Sequence, residues 1–128
     1  MSFEEIREDV QARRKLTYLH GKPGLQGCYA IEAYHDDMPV PIATVWYAFF
    51  GLTGIQTLNS YVWEQLRRCG LRTYLHEKLL AAYPKHTLVI SGAGTREGKA
   101  WMKSAGFKKT ANGWEFRRSS RRQSSNGS

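Results

Sequence analysis

A basic loop containing a glycine joins a predicted strand to a predicted helix, and this order limits what the chain can form. The residues from Thr57 to Trp63 predict the strand, and leucines at helical spacing from Gly70 to Tyr83 predict the helix. The loop between them has arginine at positions 67 and 68, and the first turn of the helix adds Arg72. Because the first N–H groups of a helix are unpaired and its dipole attracts anions, the loop predicts a site for a phosphorylated ligand.

The positive charge of the chain is concentrated in the half that contains this loop. The formal net charge is +8, and residues 65–128 hold fourteen Lys or Arg against three Asp or Glu. Residues 1–64 hold five against eight. Such a field raises the local concentration of an anionic partner, although any single Lys or Arg can instead serve only to keep a surface soluble.

Length and composition predict one domain over residues 1–118. The chain has 128 residues, of which 41% are hydrophobic, and residues 119–128 form a basic, Ser-rich tail that we expect to be disordered. No apolar run reaches about 18 residues and the acidic start is unlike a signal peptide, so we expect a cytoplasmic protein outside the membrane. Cys28 and Cys69 are isolated and the histidines are scattered, so neither a disulfide nor a metal site is expected.

The remaining patterns predict a mixed sheet with helices packed on it. Ser2 and Glu5 form a capping-box pattern, Thr95 is a predicted N-cap, and Asn112-Gly113 is a strong hairpin signal. Helices are predicted over residues 2–16, 70–83 and 95–105, and strands over 28–35, 42–50, 57–63, 87–91, 107–110 and 114–118.

Three motifs stand in this order at informative distances. They are the run Arg67-Arg68-Cys69-Gly70-Leu71-Arg72, the pair Gly106-Phe107, and the hairpin around Asn112-Gly113. Together they resemble the GNAT (Gcn5-related N-acetyltransferase) family, in which Q/R-x-x-G-x-G/A follows the fourth strand, Gly-Phe ends the fourth helix, and a hairpin follows. The resemblance covers about Cys28 to Phe116. It implies an α/β (α+β) domain whose mixed, mostly antiparallel sheet has helices on both faces.

The resemblance also implies that the chain binds acetyl-CoA and transfers the acetyl group to an amine of a protein or small molecule. In the family the pantetheine arm lies beside the fourth strand, and the loop amides surround the pyrophosphate, with arginines adding charge. The cofactor-binding set implied here is Tyr61, Val62, Trp63, Arg67, Arg68, Cys69, Gly70, Leu71, Arg72 and Thr73. In the alternative, Gly70 only begins a helix and the arginines are solvated.

Three departures from the family pattern bear on catalysis. Arg72 replaces a small residue that lets the backbone approach the pyrophosphate. Met102 stands where the family often has a tyrosine that protonates the departing thiolate, and Thr95 replaces a nearby asparagine. Only about 27 residues precede the first predicted strand, where the family has a strand and two helices. We predict one helix there and a reduced acceptor side.

Acetyl transfer to an amine needs positioning, a neutral amine, an oxyanion donor and a route for protons. The N–H of Val62 is the candidate oxyanion donor. Candidate proton-transfer groups are Glu64, Tyr61, Glu32, His35 and Tyr47, of which Glu64 as base and Tyr61 as acid are preferred. Each also has a structural interpretation as a solvated, turn or packing residue. Cys69 stands beside arginines, which predicts a lowered thiol pKa, but no motif supports a covalent role.

A second interpretation is a GNAT-like protein that acts by docking on another protein. Met102, the large Arg72 and the short N-terminal region favour it, whereas the loop and its charge favour the enzyme. The compact layout is similar to small GNAT-like proteins encoded by bacteriophages, some of which work on host proteins; for such a protein the expected location is the host cytoplasm.

A third interpretation is weak nucleic-acid binding by the basic C-terminal half. Trp101, Trp114 and Phe116 lie among lysines and arginines, and the tail could follow a phosphate backbone. No RNA- or DNA-binding motif supports it. The apolar residues from Val45 to Phe50 could separately support a homodimer.

Overall fold

A computed structural model describes residues 2–92 and 95–118 of the chain. The helices are α1 (Phe3–Gln11), α2 (Leu71–Ala82) and α3 (Arg96–Ser104). The strands are β1 (Leu16–Pro23), β2 (Tyr29–His35), β3 (Ala43–Phe50), β4 (Gly54–Val62), β5 (Leu88–Ser91), β6 (Lys108–Thr110) and β7 (Gly113–Arg117). The predicted tail, residues 119–128, lies outside the described residues. No helix within the described ranges is long and apolar enough to cross a membrane.

The seven strands form one sheet in the order β1-β2-β3-β4-β5-β7-β6. Within the described ranges, β4 and β5 are the only neighbours that pair in parallel, and the other pairs of neighbours are antiparallel. This arrangement confirms the predicted fold class, a mixed and mostly antiparallel sheet in an α/β domain. The parallel pair matters for function because it lies beside the predicted phosphate loop.

Side-chain contacts connect each of the three helices to the sheet. Asp9 of α1 bonds His35 of β2, and Tyr83, which caps α2, bonds Tyr47 of β3. The last turn of α3 leads to Gly106, which approaches Phe116 of β7. His35, Tyr47 and Phe116 point to the same face of the sheet, because the register connects them through cross-strand partners and such partners share a face.

The N-terminal strand β1 was not predicted from the sequence. The predicted helix over residues 2–16 ends instead at Gln11, after which Arg13 and Lys15 adopt positive φ and the chain turns into β1. Gly21 and Pro23 predicted a loop, but β1 is an edge strand, where both residues are tolerated. The N-terminal region therefore contains one helix, as predicted, and also a strand.

Candidate functional site

The parallel strands β4 and β5 separate partway along the sheet and leave a V-shaped opening. Their pairing runs from Gly54 and Leu88 to Thr57 and Ser91, where β5 ends. At that point the hydroxyl of Thr57 donates to Oγ of Ser91 at 2.6 Å. This hydrogen bond fixes the vertex of the opening.

A β-bulge directs β4 away from β5 immediately beyond the vertex. Trp46 of β3 pairs with Asn59 and Tyr47 pairs with Thr57, which leaves Leu58 as an extra residue in β4. A bulge bends its strand and increases the local twist. The segment from Leu58 to Val62 continues along β3, but on the side of β5 it has no strand partner among the described residues. At about 3.3 Å per residue, this open edge is roughly 16 Å long.

The loop after β4 brings unpaired backbone N–H groups to the mouth of this opening. A 3₁₀ turn over Glu64–Leu66 follows β4, and Arg68 and Gly70 then adopt positive φ of 64° and 85°. Gly70 caps α2 without any side-chain hydrogen bond, and the first bonded amide is that of Tyr74, which donates to the Gly70 carbonyl. Within the described chain, the amides of residues 71–73 therefore have no acceptor. By contrast, Thr95 caps α3 by accepting from the Gly98 amide at 3.0 Å.

The open edge, the loop and the first turns of α2 and α3 enclose a cleft of about 1050 Å³. Of the predicted site residues, those lining it are Tyr61, Val62, Arg67, Arg68, Gly70, Leu71, Arg72 and Thr73. The structure thus brings most of the predicted set to one place. The guanidinium Nε of Arg67 bends back to the Val62 carbonyl at 3.4 Å.

Arg7 of α1 anchors the loop, a role that was not predicted from the sequence. Its Nη1 donates to the backbone carbonyls of Gln65 at 2.9 Å and Arg67 at 3.1 Å. The two acceptors lie five and three residues before Gly70, so the N-terminal helix fixes the path of the backbone into α2. The only sequence signal was the position of Arg7 on a predicted helix, which does not indicate a contact 58 residues away.

Arg72 stacks on an aromatic ring inside the cleft. Its guanidinium carbon lies 4.4 Å from the centre of the Trp101 indole, within the range of a cation–π interaction. The indole N–H donates to the Thr73 hydroxyl at 2.9 Å, which holds α3 against the first turn of α2. The large Arg72 side chain is thus drawn over α3 and away from the free amides of α2.

His76, one turn further along α2, also lines the cleft. Its ring contacts Trp101, Phe107 and Phe116, with ring centres 4.9–5.8 Å apart. Burial lowers the pKa of His76 to about 4, so it is neutral at pH 7. Its Nε2 is buried and has no hydrogen-bond partner among the described residues.

Among the predicted cofactor-binding residues and the two preferred catalytic residues, three lie outside the lining of the cleft. Trp63 packs on Phe3, with ring centres 6.1 Å apart. Glu64 is exposed in the 3₁₀ turn and is not among the residues that line the cleft, so its role as base stays a prediction. Cys69 is buried, and burial raises the pKa of its thiol, which corrects the expectation of a lowered pKa.

The other candidate proton-transfer groups are held in structural contacts. His35 and Tyr47 are fully buried and hydrogen-bonded. Glu32 accepts from the Tyr34 hydroxyl at 2.9 Å and lies 3.4 Å from the Lys22 ammonium. Met102 is fully buried in the core. Tyr61 is the exception: its side chain is half exposed and lines the cleft.

The aromatic residues proposed for nucleic-acid stacking are largely packed. Trp114 is buried, and Phe116 packs against Phe107 and His76. Arg118 donates to the carbonyls of Leu80, Tyr83 and His86. These hydrogen bonds connect the C-terminal end of α2 to the residue that follows β7. These contacts do not favour the nucleic-acid interpretation.

The fold is that of the GNAT acetyltransferases. YhhK from E. coli, assigned as an N-acetyl transferase and solved with coenzyme A, is 21% identical with a TM-score of 0.62, and the match covers 91% of each chain. A GNAT-family acetyltransferase from Elizabethkingia anophelis with acetyl-CoA bound is 16% identical, with a TM-score of 0.60 over 75% of this chain and 78% of that one. A Bacillus subtilis acetyltransferase in complex with CoA is 15% identical, with a TM-score of 0.59 over 76% and 79%. No protein-family model and no curated protein sequence matches the chain.

Proposed function

We propose that the chain binds acetyl-CoA in the cleft and transfers the acetyl group to an amine. The observation that carries the proposal is the open edge of β4 ending at the free amides of α2. The edge offers N–H and C=O groups to the two amides of a pantetheine arm, as a neighbouring strand would. The free amides, with Arg67 and Arg68 beside them, offer donors and positive charge to a pyrophosphate.

The residues available for the transfer itself are few. Acetyl-CoA supplies a thioester whose carbonyl carbon exchanges its bond to sulphur for a bond to the amine nitrogen. The proton that the amine loses passes to the departing thiolate, which leaves as the thiol of CoA. The N–H of Val62 is our candidate donor to the carbonyl oxygen, and the Tyr61 hydroxyl is our candidate acid. Both lie on the open edge of β4, which also positions the thioester.

Binding without transfer is the second candidate, because Met102 is buried and Glu64 lies outside the cleft lining. A protein of this kind would use the ligand-bound domain as a docking partner. Its host-protein and phage connections remain predictions from the sequence.

Calorimetric titration with acetyl-CoA and CoA tests the binding step. The Arg67→Glu/Arg68→Glu variant should weaken binding about 30-fold, since each arginine contributes a charge-assisted contact at a solvent-accessible site. The Lys85→Glu/Lys108→Glu variant changes the net charge equally at exposed positions outside the cleft, and should bind normally. No binding by the parent chain would refute the proposal.

Thiol release in the presence of an amine panel tests the transfer step. We expect release by the parent chain and at least a tenfold slower rate for Tyr61→Phe, which keeps the ring and removes the proton. Tight binding with no release on any amine would favour the docking candidate over the enzyme.

A further inference from the structure

The Arg72 guanidinium is a cation inside the cleft that has no anionic partner in the described part of the chain. It is half-buried, stacks on Trp101, and forms no ion pair among the described residues. Burial lowers the pKa of Arg72, but a guanidinium remains charged at neutral pH. One acidic side chain, Glu97, also lines the cleft without reaching Arg72. Because a partly buried charge without a counter-charge is unfavourable, this position favours the binding of an anion from outside the chain.

The position of this cation differs from that of the pyrophosphate cradle. The free amides of residues 71–73 point out along the axis of α2, whereas the Arg72 side chain crosses to α3 and lies over the indole of Trp101. The hydrogen bond from the indole to Thr73 keeps the ring in place beneath the guanidinium. Two separate anion-binding features therefore stand at the mouth of the cleft, one on α2 and one between α2 and α3.

We propose that Arg72, supported by Trp101, binds the 3′-phosphate of coenzyme A and makes the site select CoA over its 3′-dephospho form. The inference rests on the proposed coenzyme A site. In that ligand the 3′-phosphate is one ribose beyond the pyrophosphate, on the side away from pantetheine. The cleft continues past the free amides between the first turns of α2 and α3, where Arg72 lies. With pantetheine along β4 and the pyrophosphate on α2, this is the part of the cleft that we assign to the ribose.

Cation–π stacking suits this task because it fixes the guanidinium without using its donors. The five N–H groups of Arg72 remain available to phosphate oxygens, in the planar fork that favours bidentate contact. The same stacking explains how an arginine occupies the position where the GNAT pattern has a small residue. Its side chain lies on α3, so the backbone of α2 stays accessible.

Calorimetric titration with CoA and with 3′-dephospho-CoA tests the proposal. The parent chain should bind CoA about tenfold more tightly than the dephospho form, as expected for one charge-assisted contact. Arg72→Gln should lose this tenfold preference by weakening CoA alone, and Arg72→Lys should retain part of it. Lys85→Gln, which removes one exposed charge outside the cleft, should preserve the full preference.

Three results would overturn the assignment. Equal affinity of the parent chain for both ligands would mean that the 3′-phosphate is not recognised, while leaving the coenzyme A site intact. An equal loss for both ligands in Arg72→Gln would place Arg72 on the pyrophosphate or under the adenine ring. Failure of the parent chain to bind either ligand would remove the proposed function together with this inference.

Discussion

Two polar clusters in this protein contain similar residue types but differ in whether their hydrogen bonds are satisfied. In the first, between α1 and β2, Asp9 accepts from His35 Nε2 at 2.9 Å and from Arg14 at 3.2 Å. His35 Nδ1 in turn accepts from the Asp37 amide at 3.1 Å. In the second, at the mouth of the cleft, the amides of α2, the Arg72 guanidinium and His76 Nε2 have no partner within the described residues.

The difference indicates which cluster supports the fold and which awaits a ligand. Asp9, His35 and Asp37 place one ligand atom each within 4.8 Å of one another, a spacing that could hold a metal ion. Both nitrogens of His35 are already engaged, however, so the cluster is explained as a fastening of α1 to the sheet. The cleft differs, since the half-buried Arg72 has no ion pair and the buried His76 Nε2 has no hydrogen bond among the described residues. Leaving buried polar groups unpaired costs free energy, so these groups indicate a place for a ligand.

The largest expected effect follows from breaking the satisfied cluster. His35→Ala should lower the free energy of unfolding by about 3 kcal/mol, since it leaves a cavity and removes two buried hydrogen bonds. Urea denaturation measures this change, with His20→Ala at an exposed position as the control. The affinity for CoA should change less than threefold. A stable variant that had lost CoA binding would reverse the roles assigned to the two clusters.

The pH dependence of the free energy of unfolding tests the state of His76, whose buried Nε2 has no hydrogen-bond partner among the described residues. Its pKa is about 4 in the folded state, against about 6.5 when unfolded, mainly because of burial, with Arg72 and Arg118 adding to the shift and Glu77 opposing it. The unfolded chain therefore binds the proton more strongly between these values, and stability falls as the pH drops from about 6.5 to 4. Allowing for partial exposure, we expect a loss of about 2 kcal/mol.

His76→Phe isolates this contribution from the carboxylates that titrate in the same range. Phenylalanine preserves the packing against Trp101, Phe107 and Phe116 but cannot be protonated. Urea denaturation from pH 7.5 to 4 should give the variant a shallower fall in stability. Parallel curves for the two proteins would show that His76 does not titrate with a lowered pKa.

Arg7 links the two regions, and removing it should affect binding more than folding. Arg7→Met keeps the aliphatic stem but removes the donors to the Gln65 and Arg67 carbonyls. We expect the Kd for CoA to rise about tenfold, or about 1.4 kcal/mol, because the loop loses its fixed path. Arg14→Met is the matched control: it removes a donor to Asp9 and should leave the Kd unchanged. Equal effects of both substitutions would indicate general loosening of α1.

Local signals predicted the fold and most of the cleft, whereas hydrogen-bond saturation could not be predicted. The capping box at Ser2, the N-cap at Thr95 and the glycine at position 106 each mark a helix end by short-range chemistry, and the structure has those ends. Strand β1 was missed because an edge strand needs only one partner and tolerates glycine and proline. The contact of Arg7 and the stack of Arg72 on Trp101 depend on long-range packing, so their residue types alone gave no indication.

The smallest expected effect concerns Arg13, which stacks on an aromatic ring as Arg72 does but is exposed and forms an ion pair. Arg13 lies 5.6 Å from the centre of the Tyr74 ring and 2.6 Å from the Glu77 carboxylate, with 44% and 48% of the two charged side chains exposed. Water and salt screen such a pair, so a double-mutant cycle with Arg13→Gln and Glu77→Gln should give a coupling below about 0.5 kcal/mol. The Kd for CoA should not change, because both charges are already paired outside the cleft lining. A coupling above about 1.5 kcal/mol would mean that exposed charge pairs also fasten α1 to α2. Arg13 and Arg72 both stack on an aromatic ring. They differ because Arg13 is paired with Glu77, whereas Arg72 is half-buried and has no ion-pair partner among the described residues.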